Sequence, residues 1–219
     1  MKVNFSILVS NTSRSYFYLK ELKKNKLKPM SIIYLDDKSC NKYSTILKKK
    51  NFYFPNIKVN KFYSNNISKK VSDFIYKNPV KIIIYSGYPG KILKCKKTLK
   101  KKYFLHSHPG KLPKYKGSTT IYYALLNENK VFCSTIIMNN KIDEGKILLI
   151  RKYNLPKNIK KIDKDYDDLI RSKNLVFLLK NFNLKKKITS LKDVYKPYYV
   201  IHPLLRSIVF KKYEKNFQK

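Results

Sequence analysis

Two histidines, His106 and His108, stand two residues apart and run directly into Pro109 and Gly110. Asp143 follows 35 residues after His108, inside the turn-like run Asn140 to Gly145. An imidazole backed by a carboxylate can move protons near neutral pH, because the carboxylate orients the ring and stabilises its charged form. Alternate residues of a strand project to one side, so a strand end reading His106-Ser107-His108 can present both rings to one site. Ordinary readings stand beside this one. Histidines near a turn are often polar loop residues, and Asp143-Glu144-Gly145 is a good hairpin turn. An HxH pair can also hold a metal, but no third ligand is apparent. His202, followed by Pro203, suits a structural role.

The elements that would carry these residues alternate between strand and helix. Val3 to Val9 is a short apolar strand, and Tyr16 to Leu27 has an amphipathic helix pattern stopped by Pro29. Met30 to Leu35 is a second strand. Helices are predicted over 40–50 and 67–77, with a weak strand over 57–62. Val80 to Ser86 is continuously apolar, as a central strand covered on both faces would be. Ile92 to Lys101 predicts a helix and Tyr103 to Leu105 a short strand running into the histidines. After the Pro- and Gly-punctuated loop 109–118 come a helix over Thr119 to Asn127 and strands over Phe132 to Asn139 and Lys146 to Tyr153. Asp163 to Asn181 predicts a long helix, Tyr195 to Phe210 a terminal hairpin, and Lys211 to Lys219 a frayed tail. The expected fold is an α/β Rossmann-like three-layer sandwich: a mostly parallel sheet with helices on both faces, plus a short C-terminal extension. Residues 1–153 form the α/β domain; residues 154–219 form a helix and hairpin-like extension packed on it. Three motif segments then fall at the carboxyl ends of strands, where open α/β sheets bind ligands.

Composition narrows the classes. With 219 residues and 43% hydrophobic content the chain can bury a core, so wholesale disorder is excluded. The formal net charge is +37, almost all of it lysine, with arginine only at 14, 151, 171 and 206. Abundant Lys, Asn, Ile and Tyr is the usage of an AT-rich genome. An anionic partner is the functional alternative. Scarce arginine speaks against dedicated nucleic-acid recognition, since base and phosphate readers favour its fork. Cys40, Cys95 and Cys133 are odd in number and far apart, so no disulfide framework or zinc site is readable. No stretch predicts a membrane span, and the expected compartment is the cytoplasm.

Ser86 to Leu93 (SGYPGKIL), His106 to Gly117 (HSHPGKLPKYKG) and Ile142 to Leu148 (IDEGKIL) together resemble a known family. It is the catalytic domain shared by methionyl-tRNA, glycinamide ribonucleotide and sugar N-formyltransferases. That family shows Asn-x-His-Pro, then Leu-Pro-x-[Tyr/Phe]-[Lys/Arg]-Gly, then a Thr-bearing strand, Leu-Asp-x-Gly and Ile-Leu. This chain has His106-Ser107-His108-Pro109, Leu112-Pro113-Lys114-Tyr115-Lys116-Gly117, Thr135, Ile142-Asp143-Glu144-Gly145 and Ile147-Leu148 in the same order. The likeness is good over about 80–153, topological over 1–79 and weak beyond 155. Position 106 departs, with His for the family Asn.

The resemblance implies acyl transfer from 10-formyltetrahydrofolate to an amine, with no metal. It makes His108 and Asp143 catalytic, and makes His106 a donor to the oxyanion in place of the Asn amide. His108 would share that donation. Asp143 would raise the pKa of His108 and handle the amine proton. Tyr88, Gly90, Ile92, Leu93, Ile142 and Glu144 would hold the pterin. Thr12, Ser13 and Arg14 at the first helix N-terminus, and Pro109, Gly110 and Lys111, would face the acceptor; a plain N-cap is the simpler reading of the first segment. Thr135 is either a supporting residue or an ordinary strand residue. The stretch after 155 is short for the β-rich domain of a methionyl-tRNA enzyme, and Ser10 to Ser15 lacks the glycines of a glycinamide ribonucleotide enzyme. The acceptor expected is therefore a small, anionic amine, an amino sugar carried on a nucleotide. The alternatives are glycinamide ribonucleotide formyltransferase-like activity, formyl-folate hydrolysis and a non-catalytic basic nucleic-acid-binding protein. A homodimer is left open.

Overall fold

The computed structural model describes residues 3–38, 42–49, 54–88, 94–156, 158–181 and 195–217. Seven strands form one sheet: β1 (Phe5–Ser10), β2 (Ile32–Leu35), β3 (Val59–Phe62), β4 (Ile82–Ser86), β5 (Tyr103–His108), β6 (Val131–Ile137) and β7 (Lys146–Tyr153). Their order is β3-β2-β1-β4-β5-β6-β7. The first five are parallel, and β6 and β7 close the far edge antiparallel. Helices α1 (Ser13–Lys24), α2 (Lys42–Lys48), α3 (Lys69–Lys77), α4 (Lys96–Lys101) and α5 (Thr120–Glu128) connect the strands. Helices α6 (Asp167–Lys180) and α7 (Pro203–Phe217) follow the sheet. The fold is the expected Rossmann-like α/β sandwich.

Alternation along the central strands separates two cores. Phe5, Ile7 and Val9 of β1, Ile84 of β4 and Leu105 of β5 face Tyr18, Leu19 and Leu22 of α1 and Leu175, Val176 and Leu179 of α6. Leu8, Ile33, Ile83, Tyr85 and Phe104 face the other way, toward Val71 and Ile75 of α3. With both faces covered, β1, β2 and β4 are buried along their whole length, which is why they read as unbroken apolar runs. Truncating a fully buried residue such as Leu175 to Ala would cost about 2–5 kcal/mol.

Several boundaries differ from expectation. Helix α1 begins at Ser13 rather than Tyr16, because Thr12 takes the N-cap and its side chain accepts from the Ser15 amide. Strand β5 runs through both histidines, since β6 continues to pair with it from Leu105 to His108. The turn Ile162–Tyr166 is π-helical, so α6 proper starts at Asp167 instead of Asp163. The hairpin expected within 195–210 and the frayed tail from Lys211 are not found: Pro203–Phe217 is the helix α7. The runs Leu204-Leu205 and Ile208-Val209-Phe210 look strand-like locally. Val209 and Tyr213, one turn apart, bury instead against Ile121, Tyr122 and Leu125 of α5. No described helix is long and apolar enough to cross a membrane.

Candidate active site

The ladder between β4 and β5 ends at Ile84 and Leu105, while β1 stays paired with β4 to Ser86 and β6 with β5 to His108. The neighbours therefore part at His106, at the carboxyl end of the parallel strands, and open a gap there. His106 and His108 both lie in this splayed end of β5, and both are buried.

His108 is held on both ring nitrogens. Nε2 lies 2.6 Å from the Tyr115 carbonyl oxygen and 3.4 Å from Thr120 Oγ1. A carbonyl oxygen only accepts, so Nε2 carries a proton and donates. Nδ1 lies 3.3 Å from Asp143 Oδ2, and that same oxygen accepts from the Gly117 amide at 3.0 Å. The turn delivers the carboxylate by placing Asp143 in the left-handed region, φ 53. With acceptors on both sides, the ring is built to hold a second proton. Burial nonetheless pushes the His108 pKa below the ordinary value; Asp143 acts upward, and Arg171 acts downward. Asp143 raises the His108 pKa as expected, but desolvation outweighs the carboxylate and the net shift is downward.

Glycine and hydroxyl groups fix the loop around the ring. A Cβ on Gly110 would lie 2.4 Å from the Tyr115 carbonyl oxygen and 2.9 Å from His108 Nε2, so only glycine fits there. Ser134 Oγ donates to the Gly110 carbonyl at 2.6 Å and accepts from the Leu112 amide at 3.1 Å. Thr120 Oγ1 donates to the Pro109 carbonyl at 2.8 Å. On the opposite side of β5, Thr135 Oγ1 sits 2.8 Å from Ser107 Oγ and 2.8 Å from Asn174 Nδ2. Thr135 thus ties β5 to β6 and α6 beneath the histidines.

His106 is set differently. Its Nε2 lies 3.5 Å from Nη1 of Arg171, and its buried Nδ1 has no hydrogen-bond partner among the described residues. Burial, Arg14, Arg171 and His108 push its pKa well below the ordinary value against an upward pull from the Tyr85 backbone, so the ring is neutral at neutral pH. Arg171, with its side chain 14% exposed, is clamped by Asp167 through Nε at 2.5 Å and Nη2 at 3.2 Å. Its Nη1 also donates to the Ser107 carbonyl at 2.9 Å.

The other expected residues divide. Thr12 is spent as the N-cap of α1. Asp168 forms a hydrogen bond with the Ser13 side chain, and Arg14 turns inward to donate to the Gly87 carbonyl. The Tyr88 hydroxyl pins strand ends, accepting from the Asn11 and Asp37 amides at 3.3 and 3.4 Å and donating to the Leu35 carbonyl at 3.3 Å. Glu144 pairs with Lys116 at 2.9 Å and Lys141 at 3.2 Å, while Ile142 is exposed. Lys111 is exposed beside the Phe132 ring. Gly90, Ile92 and Leu93 lie outside the described residues. Among the described residues no cluster of three His, Cys, Asp or Glu side chains could hold a metal ion.

Arg171 and Asp167 were not singled out by the sequence. A signal existed: they stand four apart on a helix, and Arg171 is one of only four arginines in a chain that otherwise uses lysine. Tyr115 acts through its carbonyl and Thr120 and Ser134 through their hydroxyls, contacts that no spacing reveals.

No family model matches the chain. The methionyl-tRNA formyltransferase of Mycoplasmopsis pulmonis (strain UAB CTIP) is 38% identical over 109 residues, covering 46% of this chain and 35% of that protein. The chain thus spans about a third of the length of that relative. The structure of a sugar N-formyltransferase from Shewanella sp FDAARGOS_354 superposes with a TM-score of 0.57 at 17% identity, over 94% of this chain and 86% of that one. Glycinamide ribonucleotide transformylase 1 from Symbiobacterium toebii superposes with a TM-score of 0.56 at 12% identity, over 82% and 89%. In partial sequence and in overall fold alike, this chain resembles the formyltransferase family.

Proposed function

We propose that the chain is an N-formyltransferase that moves a formyl group from 10-formyltetrahydrofolate to the amine of a small acceptor. The observation that carries this reading is the His108–Asp143 pair, 3.3 Å apart, beside the unpartnered Nδ1 of His106 at a splayed strand end. A buried polar atom without a partner suits the carbonyl oxygen of a formyl group, which needs a donor as it becomes an oxyanion. Gly90, Ile92, Leu93, Ile142 and Glu144 are the residues proposed to line the pterin.

The chemistry then divides between the two rings. The acceptor nitrogen attacks the formyl carbon, and His106 donates to the developing oxyanion. The proton leaving the amine passes to His108, whose second proton Asp143 stabilises. As the tetrahedral intermediate collapses, the bond to N10 breaks and N10 takes up a proton. The products are a formamide and tetrahydrofolate, with no covalent enzyme intermediate.

For the acceptor we favour a nucleotide-linked amino sugar. The neighbour named as a sugar N-formyltransferase superposes over 94% of this chain, against 82% for the one named as a glycinamide ribonucleotide transformylase. The α1 N-terminus, where a glycinamide ribonucleotide phosphate would sit, has Thr12 spent as a cap and Arg14 turned to Gly87. The excess of lysine suits an anionic acceptor, and an enzyme of this kind would work in the cytoplasm.

The test offers the protein 10-formyltetrahydrofolate with a panel of amino-sugar nucleotides and glycinamide ribonucleotide, reading the mass gain of one formyl group. Transfer to an amino-sugar nucleotide, lost in His108→Ala, is the expected result. Transfer to glycinamide ribonucleotide alone would replace the acceptor proposed. Formate released without any acceptor would make the protein a hydrolase. Neither transfer nor hydrolysis, with salt-sensitive binding to nucleic acid, would overturn the enzymatic reading.

A further inference from the structure

The role of His106 depends on which of its ring nitrogens holds the proton. A guanidinium has only donors, so the ring nitrogen facing it presents a lone pair rather than a hydrogen. That nitrogen is Nε2, 3.5 Å from Arg171 Nη1. A neutral imidazole carries one proton, which must then sit on Nδ1, the ring nitrogen without a hydrogen-bond partner among the described residues. We propose that Arg171, clamped by Asp167, is a positioning residue that fixes His106 in its Nδ1-protonated tautomer and keeps Nδ1–H free as the oxyanion donor.

Three features make the clamp rigid. Asp167 and Arg171 form a two-point pair within one helical step of α6, and the same Nη1 also donates to the Ser107 carbonyl at 2.9 Å. That carbonyl belongs to β5 between the two histidines, so the arginine registers α6 against the strand that carries the chemistry. Its fork cannot be imitated by lysine, which has no planar array of donors. An Asn amide at position 106 has a fixed donor and needs no such device. A His in its place has two possible donors and needs one selected. This inference rests on the formyl-transfer reading for its purpose, but not for the tautomer itself.

Only three histidines occur in the chain, so a protein labelled with 15N-histidine gives a tractable spectrum of ring nitrogens. Correlations between ring protons and ring nitrogens at neutral pH should show His106 protonated on Nδ1 and His108 on Nε2. Arg171→Met should move His106 to the Nε2 form or to a mixture. Where Arg171→Met does not fold, Asp167→Asn loosens the guanidinium without removing it and should shift the populations the same way. A wild-type His106 protonated on Nε2, or a tautomer unmoved in both folded variants, overturns the proposal. In turnover, Arg171→Met should lower kcat on the order of 10²-fold, as for loss of one oxyanion donor, with little change in KM. In a His106→Asn background the same change should cost kcat far less. An equal loss in both backgrounds would reduce Arg171 to structural support. If the spectra are as expected while no amine is formylated, the formyl-transfer reading fails and the tautomer assignment stands.

Discussion

His108 Nδ1 and Asp143 Oδ2 lie 3.3 Å apart, although one stands at the end of β5 and the other in the turn between β6 and β7. The pairing of β5 with β6 and of β6 with β7 carries the turn back to the strand end. Gly145 lets the turn close, since a Cβ there would lie 1.9 Å from the Ile137 carbonyl oxygen.

Removing either member of this pair should abolish most turnover while leaving the fold intact. His108→Ala and Asp143→Asn are each expected to lower kcat by about 10²–10⁴-fold, the usual contribution of a positioned proton-transfer group. Formyl transfer monitored by mass, with circular dichroism as the folding control, checks this. Unchanged turnover in both variants would refute the site.

Gly110→Ala should damage catalysis through geometry alone. The new methyl would lie 2.4 Å from the Tyr115 carbonyl oxygen, which holds the His108 ring. Displacing that carbonyl misplaces the imidazole, and a shift near 1 Å costs on the order of 10²-fold. The expected result is a low kcat in a protein that still melts cooperatively; wild-type kinetics would contradict it.

Acid should destabilise the protein in a defined window. His106 and His108 both have pKa values below the ordinary 6.5 in the folded chain. Between pH 6.5 and those lower values the unfolded chain binds protons that the folded one refuses. Stability is therefore fully present above about 6.5 and falls as pH drops, on the order of 1 kcal/mol per pH unit for each histidine. Urea midpoints measured from pH 7.5 down to 5 should fall, and His106→Asn should flatten the decline. A midpoint rising toward acid would reverse the sign.

Thr135→Val should cost stability more than activity. The isosteric change removes the hydroxyl shared by Ser107 and Asn174, leaving two buried polar groups unpaired. A loss of about 1–3 kcal/mol is expected from urea unfolding, with kcat within a few-fold of wild type. Undiminished stability would mean that the Ser107–Thr135–Asn174 chain carries no weight.

The motif residues were legible because segments resembling the formyltransferase motifs stand in the family's order. Val80 to Ser86 could only be a central strand, and His106, His108 and Asp143 sat where strand and turn signals ended. The terminal segment misled because Ile208-Val209-Phe210 reads as a strand on its own. Its helical state is set by the burial of Val209 and Tyr213 against α5. Tyr88 and Arg14 were legible as residues near a site, yet their polar groups close the strand ends instead of standing open.

From the order of residues alone came the alternating elements and the parallel sheet, which depend on periodicity and residue type, local properties of a chain. The roles of His106, His108 and Asp143 came from the motif resemblance. The tertiary structure alone decided which ring nitrogens are held by partners. That choice depends on Arg171 reaching His106 and on the Tyr115 carbonyl reaching His108. Hydrogen bonds of this kind form only at about 3 Å, and only packing brings such distant parts of the chain that close.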